Sequence, residues 1–295
     1  GRVSEIQRKQ MTTVDSASIY PIEIDGTFDD CQNLVKHLFQ NLKFKEEVSL
    51  GAINSINWAR VAAQIVYYFS TFQQLQSNRV SFSVPTGNFG DVLAGWVAKK
   101  MGLPIDKLIV ATNDNDILDR AISNGDYFQE EVKATTSPSM DIQISSNFER
   151  LLFESLDRDP EKLRNLFKEL KENNGFRIGN DTLTYIRNDF KSGKASEEKV
   201  KDTISRIHKA SNIILDPHTA VGFYASASEL NFDVPMVNLG TAHPAKFSRA
   251  VIDAIGLEPE IPDRLKNIIN KKEKFTQLEN NSETLISFIR KHSNV

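Results

Sequence analysis

One cysteine, Cys31, in 295 residues excludes an intramolecular disulfide, a multi-cysteine zinc site and a dithiol redox pair. A surplus of basic charge is missing too. The 36 Lys and Arg are outweighed by 39 Asp and Glu, the formal net charge is −3, and no basic stripe able to neutralise a nucleic-acid backbone is present. No apolar run approaches the roughly 20 residues of a membrane-crossing helix. The opening residues Gly1-Arg2-Val3-Ser4-Glu5 are polar with no apolar stretch behind them, unlike a secretory signal. No nucleophile elbow occurs, so a Ser-His-Asp hydrolase is unsupported. Internal repeats and low-complexity tracts are also wanting. What remains, 40% hydrophobic and 25% charged residues, is the composition of a globular protein with a sizeable core. The expectation is a cytoplasmic protein in a reducing compartment, with neither nucleic acid nor membrane as partner.

Against these absences stands one stretch, Pro85-Thr86-Gly87-Asn88-Phe89-Gly90-Asp91. Arg79 to Val84 before it reads as a strand, and Val92 to Met101 after it as a helix ended by Gly102 and Pro104. A strand that turns into a helix offers free backbone N–H groups and the positive end of a helix dipole to an anion. Gly87 and Gly90 are expected to supply unusual backbone angles and close approach of a phosphate. The same spacing also suits a plain tight turn in an α/β core, and both readings stand here. A dinucleotide loop is a poor match, because the third glycine is missing and no acid follows a next strand at suitable distance. Lys107 to Thr112 reads as a buried strand, Asn113 to Asp116 as a turn and cap, and Ile117 to Ser123 as a helix. Strands alternating with helices through short connections imply a parallel sheet, whose ligands collect at the carboxyl ends of its strands.

Other polar residues gather elsewhere. Asn54, Ser55, Asn57 and Arg60 precede the apolar run Val61 to Phe69, expected as a buried helix. They read either as caps and turn formers or as a polar pocket floor, with Arg60 aimed at a carboxylate or phosphate. Leu215-Asp216-Pro217-His218-Thr219-Ala220-Val221-Gly222 leads into a small-residue helix. Pro235 to Leu239 reads as a buried strand, followed by Gly240-Thr241-Ala242-His243-Pro244-Ala245-Lys246-Phe247 at its carboxyl end. Asp216, His218 and His243 lack metal-ligand spacing, so no metal site is expected. Near the start, Ile22 to Asp25 reads as a short strand, and Thr27 as the cap of a helix whose first turn holds Asp29 and Asp30. The expected division is an α/β cofactor-binding core over residues 1–144 and a mostly helical subdomain over 145–212. The core returns over 213–256, and a helical tail covers 257–295.

Taken in order, Asn-Ser-Ile-Asn-Trp-Ala-Arg at 54–60, Gly-Asn-Phe-Gly-Asp at 87–91, Asp-Pro-His-Thr-Ala-Val-Gly at 216–222 and Thr-Ala-His-Pro-Ala-Lys-Phe at 241–247 resemble the threonine synthases, in the branch found in fungi and many bacteria. Gly-Thr-Phe-Asp-Asp-Cys-Gln at 26–32 is a further match. The resemblance implies a three-layer, parallel-sheet α/β core of the tryptophan-synthase-β-like, fold-type II kind with a helical periphery. It implies pyridoxal 5′-phosphate as cofactor and O-phospho-L-homoserine as substrate, turned with water into L-threonine and phosphate. Gly87, Asn88, Phe89, Gly90 and Asp91 would surround the cofactor phosphate through backbone N–H groups, and Thr241 would place its hydroxyl on the pyridine nitrogen. Asn54, Ser55, Arg60 and Asn88 would hold the substrate, while Asp216, His218, His243 and Lys246 would line or brace the site. The family's Schiff-base lysine lies in a Phe-Lys-Asp segment, and no Phe-Lys-Asp occurs in this chain. The chain therefore resembles the carboxyl-terminal part of such an enzyme, expected as monomer or homodimer. It is expected to need the amino-terminal part with that lysine for turnover. A non-catalytic threonine-synthase-like binding protein and another fold-type II lyase or dehydratase are the alternatives.

Overall fold

Four parallel strands, ordered Phe190–Lys194, Ile105–Thr112, Val80–Pro85 and Met236–Asn238 across the sheet, carry the larger part of the chain. The structure is a computed structural model that describes residues 5–26 and 28–293; the cap expected at Thr27 lies outside them. The first elements are α1 (Glu5–Thr12), β1 (Ile22–Ile24), α2 (Phe28–Gln40) and α3 (Leu42–Glu47). Then come α4 (Trp58–Gln74), β2 (Val80–Pro85), α5 (Gly90–Lys100), β3 (Ile105–Thr112), α6 (Ile117–Asn124) and β4 (Asp126–Phe128). The middle holds α7 (Phe148–Ser155), α8 (Pro160–Asn173), β5 (Gly175–Arg177), α9 (Asn180–Asp189), β6 (Phe190–Lys194) and α10 (Glu197–Ser211). The last are α11 (Pro217–Ser226), β7 (Met236–Asn238), α12 (Ser248–Ile255), α13 (Asp263–Ile269), β8 (Thr276–Leu278) and α14 (Ser282–His292). None of the helices among the described residues is long and apolar enough to cross a membrane.

Contacts divide the chain into Ile53–Pro259 and a second unit made of Gly1–Ala52 with Glu260–Val295. In the larger unit the alternation of side chains along a strand builds three layers. Val80, Phe82 and Val84 point to one face, where they pack with Tyr68 of α4 and Leu93 of α5. Ser83 points to the other face and donates from its hydroxyl to Gly222 O in α11 at 2.8 Å. Ile109 and Ala111 share that second face with Ala220, Val221 and Ala225. All six residues of β2 are buried, as expected of an inner parallel strand covered on both sides. This is the parallel α/β architecture that the strand–helix alternation implied.

Two expectations need correction. The run Val61 to Phe69 forms part of α4 but is not buried all round: Val61 and Tyr68 are fully buried, whereas Val66 and Tyr67 are 61% and 60% exposed. The helix lies on the sheet by one face only, a position its mostly apolar sequence conceals. Residues 145–212 do hold four helices, but they also hold β6, which pairs with β3 from Leu108↔Phe190 to Thr112↔Lys194. Phe190-Lys191-Ser192-Gly193-Lys194 has little β character. Packing dictates it instead, since a Cβ at Gly193 would come within 3.0 Å of Ala225 Cβ in α11.

The smaller unit joins the two ends of the described chain. β1 and β8 pair in parallel from Ile22↔Thr276 to Ile24↔Leu278, over a core of Ile24, Leu34, Leu38, Phe44, Leu285 and Ile286. Arg8 donates twice to Glu273 at 2.9 Å. Arg290 grips Glu47 with bonds of 2.6 and 2.7 Å. A three-residue strand has too little surface to stand alone, so the 260–295 stretch serves as the other half of this unit.

Candidate active site

β2 and β7 are neighbours and run in parallel, with Ser83 opposite Asn238. Their carboxyl ends therefore release the 86–91 turn and the 239–247 segment at the same edge of the sheet. Pairing carries slightly past the strand ends: Thr86 N donates to Ala111 O at 2.9 Å, and Leu239 N to Ser83 O at 3.0 Å.

The carbonyls of the first turn are held by protein. Ser145 Oγ donates to Gly87 O at 2.8 Å. Asn147 donates to Asn88 O from its backbone N at 3.2 Å and from its side chain at 2.9 Å. Leu93 N donates to Phe89 O at 3.0 Å in the first turn of α5. With the oxygens tied back, the amides face the other way. Among the described residues, no backbone N–H of residues 87–92 has a hydrogen-bond partner in the chain. A run of free amides at a helix N-terminus suits a phosphate, with each charge-assisted bond contributing about 1.5–3 kcal/mol.

The glycines act differently from expectation. The left-handed residue is Phe89, at φ 61°, and neither Gly87 nor Gly90 has positive φ. A phenylalanine there costs about 1 kcal/mol. Burial of its ring offsets that cost, with ring centroids 5.3 Å from Phe148 and 5.7 Å from Phe190. Gly87 is required by crowding, because a Cβ there would lie 2.5 Å from the backbone oxygen of Ser139. A Cβ on Gly90 would meet only ordinary contacts, Ser55 Cβ at 3.4 Å first among them.

That last distance brings Ser55 beside the turn. Its neighbours behave as caps: Asn54 Oδ1 accepts from Ile56 N at 3.1 Å, and Asn57 Oδ1 accepts from Ala59 N at 2.9 Å. Arg60 is exposed, and its guanidinium donates to Ile53 O at 3.2 Å rather than to the 86–91 turn. The Asp91 carboxyl turns to the buried Tyr68, whose hydroxyl donates to Asp91 O at 2.8 Å and to Oδ1 at 3.3 Å. Burial pushes this carboxyl up to about 6, and burial likewise holds the Tyr68 hydroxyl protonated.

The second segment is more open. Thr241 and His243 are exposed, and Lys246 is half-buried. His243 caps the short turn Pro244–Phe247, its Nδ1 accepting from Ala245 N at 3.2 Å. Asp216 and His218 are buried at the start of α11, at 1% and 4% exposure. Asp216 Oδ1 accepts from His218 N at 2.9 Å and pairs with His218 Nδ1 at 3.0 Å, and its other oxygen takes the Thr219 hydroxyl. The His218 ring lies 4.6 Å from the ring of Phe247. So His218, paired with Asp216, reaches the 241–247 segment, while His243 is committed to its own turn.

Residues 133–147 escaped the sequence reading. Asn113 donates to Thr135 Oγ1 and Asp141 Oδ1 at 2.8 Å, and Asn115 donates to Lys133 O at 2.9 Å and Asp141 Oδ1 at 3.0 Å. This buried network hangs the segment from the carboxyl end of β3. Tyr127, stacked between Phe148 and Phe176, accepts from Ser145 N at 2.9 Å. The result is that Ser139 presses on Gly87 while Ser145 and Asn147 hold the carbonyls. The available signal was the density of Ser, Thr and Asn from Thr135 to Asn147, too rich for a loop with nothing to bind.

A family model described as "Threonine synthase, C-terminal" matches residues 219–289. Threonine synthase of Pseudomonas aeruginosa is 45% identical over 297 residues, which is 99% of this chain and 63% of that protein. Along nearly its whole length the chain is similar to threonine synthases. Threonine synthase of Saccharomyces cerevisiae is 44% identical and is matched over 60% of its length. The solved structure of PLP-bound threonine synthase from Brucella melitensis superposes with a TM-score of 0.93 at 48% identity, covering 100% of this chain and 64% of that one. The chain thus spans less than two thirds of the length of the threonine synthases it matches. The fold-type II resemblance drawn from the ordered motifs agrees with these matches.

Proposed function

We propose that this chain forms the phosphate-holding and ring-facing part of a pyridoxal-phosphate-dependent threonine synthase, a lyase that converts O-phospho-L-homoserine and water to L-threonine and phosphate. The observation that carries the reading is the run of free amides from residue 87 to residue 92, with the carbonyls of 87–89 tied back. Bound there, pyridoxal phosphate supplies an electron sink for negative charge on the carbon beside the substrate amine. The amides of Gly87, Asn88, Phe89, Gly90 and Asp91 hold its phosphate. Phe89 does so by its N–H while its ring anchors the turn, and the Asp91 side chain stays with Tyr68. Thr241 presents a neutral hydroxyl to the ring nitrogen, which leaves that nitrogen largely unprotonated. Ser55, beside Gly90, and the Asn88 side chain are the nearest substrate-binding groups. Asn54 and Arg60 join them once a carboxylate or phosphate replaces Ile53 O as the partner of the guanidinium. No lysine among residues 1–295 is given the imine-forming and proton-moving role, because none lies in the family's motif.

Product analysis with the full-length protein tests the reading. Pyridoxal phosphate uptake, with threonine and phosphate appearing together from O-phospho-L-homoserine, is the expected result. A protein that takes up the cofactor but makes a 2-oxo acid from threonine is a dehydratase instead. A protein that takes up no cofactor overturns the proposal.

A further inference from the structure

The Asp216–His218 pair leaves one polar atom without an explanation. His218 is 4% exposed, and its Nε2 is buried with no hydrogen-bond partner among the described residues. A buried orphan of this kind costs about 1–3 kcal/mol unless something binds it. Asp216 already accepts from His218 N, from Thr219 N at 3.4 Å and from the Thr219 hydroxyl. Such a carboxylate accepts from Nδ1–H as well, which makes Nε2 of the neutral ring an acceptor.

The place of the ring is set by the helix. A Cβ on Gly222 would be 3.4 Å from the ring atoms of Pro85, the last residue of β2. His218 precedes Gly222 by four residues, so it shares that face of α11 and projects one turn further toward the helix start. That turn lies past the carboxyl end of β2, and the contact with Phe247 ties it to the 241–247 segment.

We infer that His218, oriented by Asp216, accepts a hydrogen bond through Nε2 from a hydroxyl on the small molecule bound at this edge. The inference rests on the proposed reading of residues 87–91 and Thr241 as the cofactor site. Ligand chemistry narrows the partner. The phosphate and carboxylate of an O-phosphorylated amino acid are acceptors, and its amine is taken up by the cofactor. The donor that remains is an O–H, either the water that is added or the hydroxyl of the product.

The test uses the full-length protein loaded with pyridoxal phosphate and labelled with 15N-histidine. L-Threonine and L-2-aminobutyrate, which lacks the hydroxyl, are the probes. Threonine should move the His218 Nε2 resonance and 2-aminobutyrate should leave it in place. In His218→Phe, threonine should bind about tenfold more weakly while 2-aminobutyrate binds as before. The inference is overturned if threonine leaves the resonance unmoved, if inorganic phosphate moves it instead, or if the variant loses both ligands equally. The unsubstituted protein carries the decision if the variant does not fold. Failure to take up the cofactor at all would defeat the proposed function first, and this inference with it.

Discussion

The two turns at the shared edge of the sheet are built in opposite ways. The 86–91 turn is braced on every side: its carbonyls are held by Ser145 and Asn147, its Phe89 ring is buried, and Ser139 presses on Gly87. The 240–247 turn is secured by its own His243 cap and presents Thr241 to solvent. The braced turn is proposed to bind with its free backbone amides, which cannot be tuned by side-chain substitution and must be held in place by everything around them. The open turn is proposed to bind with one hydroxyl, that of Thr241, which needs only to be present. On that proposal, rigidity is concentrated where a doubly charged group would be matched by several donors at once.

That contrast can be broken most severely at Gly87. Gly87→Ala drives a Cβ into the Ser139 carbonyl, so the turn must open. Cofactor affinity should fall at least 100-fold by equilibrium titration, roughly 3 kcal/mol. Gly90→Ala, which meets ordinary contacts only, should cost less than tenfold. Equal losses at the two positions would mean that crowding is not what requires Gly87.

Asp91 sharpens the comparison through pH. Its carboxyl sits near 6 in the folded chain against an ordinary 3.8. Below about pH 4 it is protonated in both states and has no effect. As pH rises, the unfolded chain ionises first, so folded stability is lost between about pH 4 and pH 6 and stays lost above that. Asp91→Asn should therefore match the parent in urea unfolding near pH 4 and exceed it by about 2–3 kcal/mol near pH 7.5. A variant less stable at both values would show the ionised carboxylate to be favourable.

Asn147→Ala removes the side-chain bond to Asn88 O and keeps the backbone one. It should cost about 1–2 kcal/mol of stability and weaken cofactor binding several-fold. Thr241→Val should leave the unfolding midpoint unchanged, because among the described residues that hydroxyl makes no hydrogen bond within the chain. It should shift the absorbance of the bound cofactor. A large loss of stability in Thr241→Val would erase the distinction between the two turns.

Local patterns were legible in the sequence and long-range requirements were not. The strand, turn and helix around Gly87 to Gly90 follow from β-rich residues, glycine spacing and the Gly102 stop. The ordered motifs assigned Asn54, Ser55, Thr241 and Asp216 to one expected site, and the structure brings Ser55 beside Gly90. Which residue takes the left-handed conformation was not legible, because Phe89 is held there by Phe148 and Phe190, far along the chain. Nor was the reason for Gly87, which lies in Ser139 and the network of Asn113, Asn115 and Asp141 that positions it. β6 and the β1–β8 pairing were hidden for the same cause: short strands take their shape from partners that no local window contains.

Free amides 87–92 are proposed to form the phosphate cup. The direct measurement is the amide 1H–15N shift of those residues in the full-length protein titrated with pyridoxal phosphate. Large downfield proton shifts are expected at Gly87 through Val92, saturating together with the cofactor absorbance. Cofactor binding that leaves those amides unmoved, with the shifts falling elsewhere, would contradict the proposal.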